Sequence, residues 1–160
     1  MIVVADSGPP HYLILLGEID LLRSFYERVA IPQAVVDELR AEGAPTIVSN
    51  WFAHPPEWVA ITAVPQAQID SVTDDLDLGE RAAIALAGAI QADLLLIDDA
   101  AGRAEAARRS LRVTGTLGVL RAGAEQGLID VPAMLARLRA TSFYVDDALI
   151  NAIFAPWLQP

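Results

Sequence analysis

Short apolar runs and longer stretches of helical spacing alternate along this chain. The runs Ile2–Ala5, Arg28–Ile31, Trp58–Thr62, Leu94–Ile97 and Leu111–Val113 are dominated by aliphatic side chains. Runs of this length that are apolar on both faces read as buried parallel strands. Helices are expected between them at Pro10–Leu16, Ile19–Tyr26, Gln33–Glu42, Thr46–Phe52, Leu78–Gln91, Ala100–Ser110 and Thr116–Gln126. Pro132–Ala140 and Asp146–Phe154 finish the chain as two further helices. Pro32 opens the third helix, where its missing N–H costs nothing, and Gly43-Ala44-Pro45 closes it. The alanine-rich Leu78–Gln91 is the strongest helix, and Ala53–Asp77 is the least regular segment. Strands alternating with helices predict a three-layer α/β/α sandwich around a central, mostly parallel sheet. A chain of this length is expected to form one domain, residues 1–160.

Two of the strand runs end on an aspartate, Asp6 and Asp98. In open parallel sheets the functional crevice lies outside the carboxyl ends of the strands, so both carboxylates are placed to meet a ligand. The ligand that suits clustered carboxylates is a hard divalent cation. The structural alternative for Asp6, followed by Ser7-Gly8-Pro9-Pro10, is an Asx turn or a helix cap. Glu38 falls at the edge of the apolar face formed by Val35, Val36 and Leu39, while Asp37 points away from it. Glu80 stands three residues after Asp77 at a helix start, and a capping box would account for both acids. Asp99 is the natural N-cap of the helix that follows Asp98. Arg103 lies one turn further on, where it is placed to neutralise a phosphate or simply to charge the helix surface.

Composition narrows the chemistry. There is no cysteine, and all eleven basic residues are arginine. Disulfides, thiolate metal sites and thiol nucleophiles are thereby excluded, as are lysine-dependent P-loop and Schiff-base chemistries. His11 and His54 show no metal-ligand spacing. A net charge of −10 argues against nucleic-acid binding through broad counterion release, although a local arginine patch remains available. Mean hydropathy is +0.38, yet no run approaches the roughly 20 apolar residues of a membrane helix. The surplus apolarity points to a buried partner surface such as a dimer interface. The amino end shows no secretory pattern, so a cytoplasmic location is expected.

Four blocks in order resemble those of a PIN domain of the VapC toxin type. They are Val3-Val4-Ala5-Asp6-Ser7-Gly8-Pro9, Leu78-Gly79-Glu80-Arg81, Leu96-Ile97-Asp98-Asp99 and Val113-Thr114-Gly115-Thr116-Leu117-Gly118, with Gly127-Leu128-Ile129 beyond. The resemblance implies an acid quartet of Asp6, Glu38, Glu80 and Asp98 around Mg²⁺ or Mn²⁺. Ser7, Asp99 and Thr116 would steady the carboxylates, with helix capping the alternative role for Thr116, and Arg103 would meet the substrate. Glu80 stands where the wider family more often has aspartate. Asp146-Asp147, which imitates the wider family's third-acid helix, comes too late in the chain and is read as a terminal helix.

The resemblance further implies a metal-dependent endoribonuclease acting as the toxin of a toxin–antitoxin pair. It would be a homodimer, with a small antitoxin covering its apolar groove. The acidic charge keeps a second expectation open: a PIN-like domain that binds a protein or nucleic acid without cleaving it. A haloacid-dehalogenase-type phosphatase is disfavoured by Gly8, which stands where a second aspartate is needed, and a phospho-receiver by the absence of lysine.

Overall fold

A computed structural model describes residues 1–159. Its strands are β1 (Val3–Ala5), β2 (Val29–Pro32), β3 (Val59–Thr62), β4 (Leu94–Leu96) and β5 (Val113–Thr114). They form one sheet in the order β3-β2-β1-β4-β5, and every pairing is parallel. The expected "mostly parallel" sheet is therefore wholly parallel.

The helices are α1 (Gly8–Leu15), α2 (Asp20–Tyr26), α3 (Gln33–Leu39), α4 (Thr46–Ala53), α5 (Gln66–Asp70), α6 (Leu78–Ala89), α7 (Ala100–Arg108), α8 (Thr116–Glu125), α9 (Val131–Arg139) and α10 (Asp147–Leu158). Three differences from expectation have local causes. Helix α3 stops at Leu39, short of Glu42, because Leu39 is its last buried residue. The segment Ala53–Asp77 contains the short α5, which starts directly after Pro65 and buries only Ile69. Helix α10 runs on to Leu158 through Pro156, whose position near the helix end leaves little of the ladder to break.

Successive strand residues face opposite layers. Val3, Ala5, Val29, Ile31 and Leu96 join the larger core, with Leu13, Phe52, Leu120, Met134 and Phe154 from the helices on that side. Val4, Leu95 and Ile97 join the smaller core, built on Ala83, Ile84 and Ala87 of α6 and Ala106 of α7. The sheet is thus covered on both faces, which is why its strands carry no polar face to solvent. No helix among the described residues is long and apolar enough to cross a membrane.

The strand order decides where a ligand can reach the sheet. From β1 the chain steps outward through β2 to β3, then returns to lay β4 on the other side of β1. The order reverses between β1 and β4, and the crevice beyond their carboxyl ends is the switch point. Ala5 pairs with Leu96, and the Asp6 N–H donates to the Leu96 carbonyl at 2.9 Å. Asp6 and Asp98 therefore flank the same opening.

Leu96 is fully buried in the central pair of strands. Leu96→Ala is expected to cost about 2–5 kcal/mol, the range for a buried leucine whose cavity closes only in part. Denaturant melts should show a lower midpoint at an unchanged slope.

Candidate functional site

Asp6 is only 4% exposed, because β1 is the innermost strand and α1 starts two residues after it. Its Oδ1 has no hydrogen-bond partner. Burial pushes the carboxyl up to about 8; the Ser7 N–H offsets part of this, and the charges of Asp77, Glu80 and Glu38 push the same way as burial. An acid in this condition calls for a proton or a cation.

The neighbouring acids come from the start of α6 and from α3, which packs against it. Asp77 caps α6 by accepting from the Glu80 N–H at 2.8 Å, and Glu80 reaches back to the Asp77 N–H at 3.3 Å. The capping box expected from the sequence is present. Burial raises the Glu80 carboxyl to about 7, with Asp77 and Asp99 adding repulsion. Glu38 crosses from α3 to accept the Gly79 N–H at 2.9 Å. A Cβ on residue 79 would sit 2.8 Å from the Glu38 carboxyl carbon, so a side chain there would push the Glu38 carboxylate away from this position. Burial also raises Glu38, and Asp77 adds to the rise; the Gly79 N–H and the Ser7 hydroxyl work against it.

Asp98 is held more tightly. Oδ1 accepts the Thr116 N–H and Oδ2 the Thr116 hydroxyl, both at 2.7 Å. Thr116 is fully buried, and Gly115, not Thr116, occupies the N-cap of α8. Thr116 thus serves Asp98 and does not cap its helix. Burial raises the Asp98 carboxyl, opposed by Thr116 and then by the Arg103 charge. Asp99 accepts the Gly102 N–H at 2.8 Å and caps α7, as its position suggested. Gly8 closes the gap between the two groups of acids: a Cβ there would lie 2.8 Å from Asp98 Oδ2.

The structure therefore sets Asp6 within the field of Asp77, Glu80 and Glu38, and Asp77 in turn raises both glutamates. Asp98 sits across Gly8 under a different set of neighbours, Thr116 and Arg103. Asp77 joins the first group on equal terms, whereas sequence reasoning saw it only as a cap. The signal for its second role was Gly79, which lets Glu38 approach the same helix end. His54 is exposed at the end of α4, while His11 lines a shallow cleft of about 270 Å³ with Ser7 and Glu38.

The donor set is entirely oxygen and anionic, which suits a hard cation and no soft one. Two carboxylates about 4 Å apart repel by about 4 kcal/mol at an effective dielectric near 20. Among the described residues no three acid or histidine side chains are gathered at metal-ligating geometry. Glu38, Glu80 and Asp98 each hold a local N–H, and Asp6 Oδ1 is left unsatisfied. The donors fit a divalent cation in kind and location, and their present geometry is a locally hydrogen-bonded one.

The raised Asp6 carboxyl sets a pH dependence. It moves from the ordinary 3.8 to about 8 in the folded chain. Across that window the folded state holds a proton that the unfolded state has released, so metal-free stability falls as pH rises, by at most about 1.4 kcal/mol per pH unit from this group. Asp6→Asn supplies a permanently neutral side chain. In chelator it should melt higher than the parent at pH 8 and show a shallower decline from pH 5; thermal melts across that range check it.

A family profile described as PIN domain matches residues 2–157. No curated protein and no solved structure gives a significant match. The matched span includes every strand and all but the last residue of the final helix. With the match that extensive, the chain belongs to the PIN domain family, whose members are typically nucleases that use divalent metals.

Proposed function

We propose that this protein is an endoribonuclease dependent on Mg²⁺ or Mn²⁺ that acts as the toxin of a toxin–antitoxin pair. The observation that carries the reading is Asp6: a buried carboxylate with an unsatisfied oxygen, at the switch point of a PIN-family sheet, facing three other acids. Asp6, Glu38, Glu80 and Asp98 would hold the cation, with Asp77 beside them. When bound, a cation of this kind supplies Lewis acidity toward the phosphodiester and makes water a competent nucleophile near neutral pH.

The chain's own groups do the rest. Thr116 fixes the rotamer of Asp98 through two hydrogen bonds, and Ser7 steadies Glu38. Asp99 orders the start of α7, which sets Arg103 one turn on beside Asp98 to receive a phosphate. No lysine or cysteine is present to form a covalent intermediate, and water is the nucleophile in this reading. Exposed apolar side chains such as Ile47 and Leu128 support a protein partner, read here as a second copy and an antitoxin.

One observation favours a second reading, a PIN domain that binds without cutting: Glu38, Glu80 and Asp98 are each hydrogen-bonded to a main-chain N–H. Calorimetric titration with Mn²⁺ separates the two. Tight binding that Asp6→Asn removes supports the nuclease, and no binding supports the alternative.

Asp6→Asn and Asp98→Asn are each expected to abolish Mn²⁺-dependent RNA cleavage while circular dichroism stays that of the parent. Undiminished cleavage by both variants would sink the proposal. Thr116→Val keeps the shape and the backbone donor but loses the hydroxyl. Its activity is expected to drop by about 10- to 100-fold, as when the outer partner of a metal-holding carboxylate is removed.

A further inference from the structure

Among the described residues the buried polar or charged ones are Asp6, Thr116 and Glu105. The first two belong to the acid site. Glu105 lies on α7 and is buried along with Gly102 and Ala106 of the same helix. An apolar residue would pack there without the cost of desolvating a carboxylate. A buried ion pair adds little stability over such a replacement, so the contribution of Glu105 is direction.

Its two oxygens take one arginine each. Oε2 accepts from Arg108, and Oε1 accepts from Arg109 Nε at 2.9 Å. Arg108 stands on the solvent side, with its side chain 71% exposed. Arg109 goes further: its Nη2 donates to the Ser71 carbonyl at 3.0 Å, 38 residues back along the chain. The planar guanidinium has donors on separate edges, so one side chain holds the carboxylate and the carbonyl together. The next carbonyl, that of Val72, accepts from Arg81 Nε at 3.3 Å, and Arg81 also pairs with Asp70 at 3.7 Å. Two arginines, one at the C-cap of α7 and one on α6, thus grip consecutive carbonyls of a single segment.

That segment leads into the acid site. Val72 and Leu76 are buried in the smaller core, and Asp77 follows directly as the cap of α6. Gly79, two residues on, offers its N–H to Glu38, and Glu80 completes the capping box. The path of residues 71–76 therefore decides where the start of α6 presents these groups.

We infer that Glu105, acting through Arg109, is a positioning residue for the acid site: it fixes the segment that delivers Asp77, Gly79 and Glu80 to Asp6. The inference takes its functional meaning from the proposed cation site, while the linkage itself stands on the hydrogen bonds.

The test sets Arg109→Ala against Arg108→Ala in the full chain. Each removes one arginine from Glu105, and only the first cuts the bond to Ser71. Metal-free hydrogen exchange followed by NMR reads the Gly79 and Glu80 amides directly. In Arg109→Ala both are expected to exchange about tenfold faster, the low end for losing a hydrogen bond from a charged group. The Leu95 and Leu96 amides of the central sheet should keep their rates, and Arg108→Ala should match the parent throughout. Calorimetry with Mn²⁺ should show affinity about tenfold weaker in Arg109→Ala, the low end for losing an outer partner of a metal ligand, and unchanged in Arg108→Ala. Arg109→Lys keeps the charge beside Glu105 but cannot hold both partners in fixed directions, so it should follow Arg109→Ala. It also serves if alanine at 109 does not fold.

Unchanged Gly79 and Glu80 exchange in Arg109→Ala and Arg109→Lys overturns the inference. Equal acceleration of the sheet amides overturns it too, since that marks a general loss of stability. Faster exchange with Mn²⁺ affinity still at the parent value shows that the segment does not set the acids, and the inference is wrong. If exchange quickens as expected but the parent binds no Mn²⁺, the linkage to α6 holds and the cation reading fails.

Discussion

Burying Asp6 is the constraint around which this end of the molecule is arranged. Its strand is the innermost of five, its side chain is shut off from water, and one of its oxygens has no donor. A protein selected only for stability would place an apolar residue there, as it does at Val3, Val4 and Ala5 immediately before. Burying this acid costs stability, whether it carries a charge or is held protonated, and costs of this kind concentrate at functional sites. The neighbouring acids deepen it: Glu38, Asp77 and Glu80 all approach, and none brings a compensating arginine.

The arrangement depends on small residues as much as on acids. Gly79 lets Glu38 reach the end of α6, and Gly8 lets the β1 turn pass against Asp98. Each glycine sits where a carboxylate and a backbone approach closely, so the acids are positioned by what the main chain leaves open. Topology supplies the remainder. The reversal of strand order between β1 and β4 brings the residues after two distant strands, Asp6 and Asp98, to one crevice.

Much of this was legible in the sequence. The first four strand runs carried their positions to within about one residue at each end, because buried parallel strands leave a continuous apolar signature, whereas the run Leu111–Val113 shares only Val113 with the two-residue β5. Asp6 and Asp98 could be named from their place at strand ends alone. Glu38 and Glu80 needed the family resemblance, since an acid at a helix edge or helix start has an ordinary structural explanation, and for Glu80 that explanation is also true. Asp77 was read as a cap and is one, but its effect on Asp6 depends on α6 lying over β1, which no local window contains. The helix α5 escaped because five residues with one buried side chain are too few to show a period.

The first turn of α6 has a consequence for how the protein exists before any ion arrives. Its free N–H groups and the positive end of its dipole are occupied by Glu38, Asp77 and Glu80. The helix end is in effect a resident partial charge, occupying the acids until a fuller one replaces it. In small zinc domains the ligands have no structure without metal and loading is folding. Were the proposed acids to bind an ion, Glu38 and Glu80 would have to leave amide donors they already hold, so binding would be an exchange in which α6 gives up part of its cap. The fold would then stand without the ion, and ion affinity would be set by how readily one helix terminus releases what it holds.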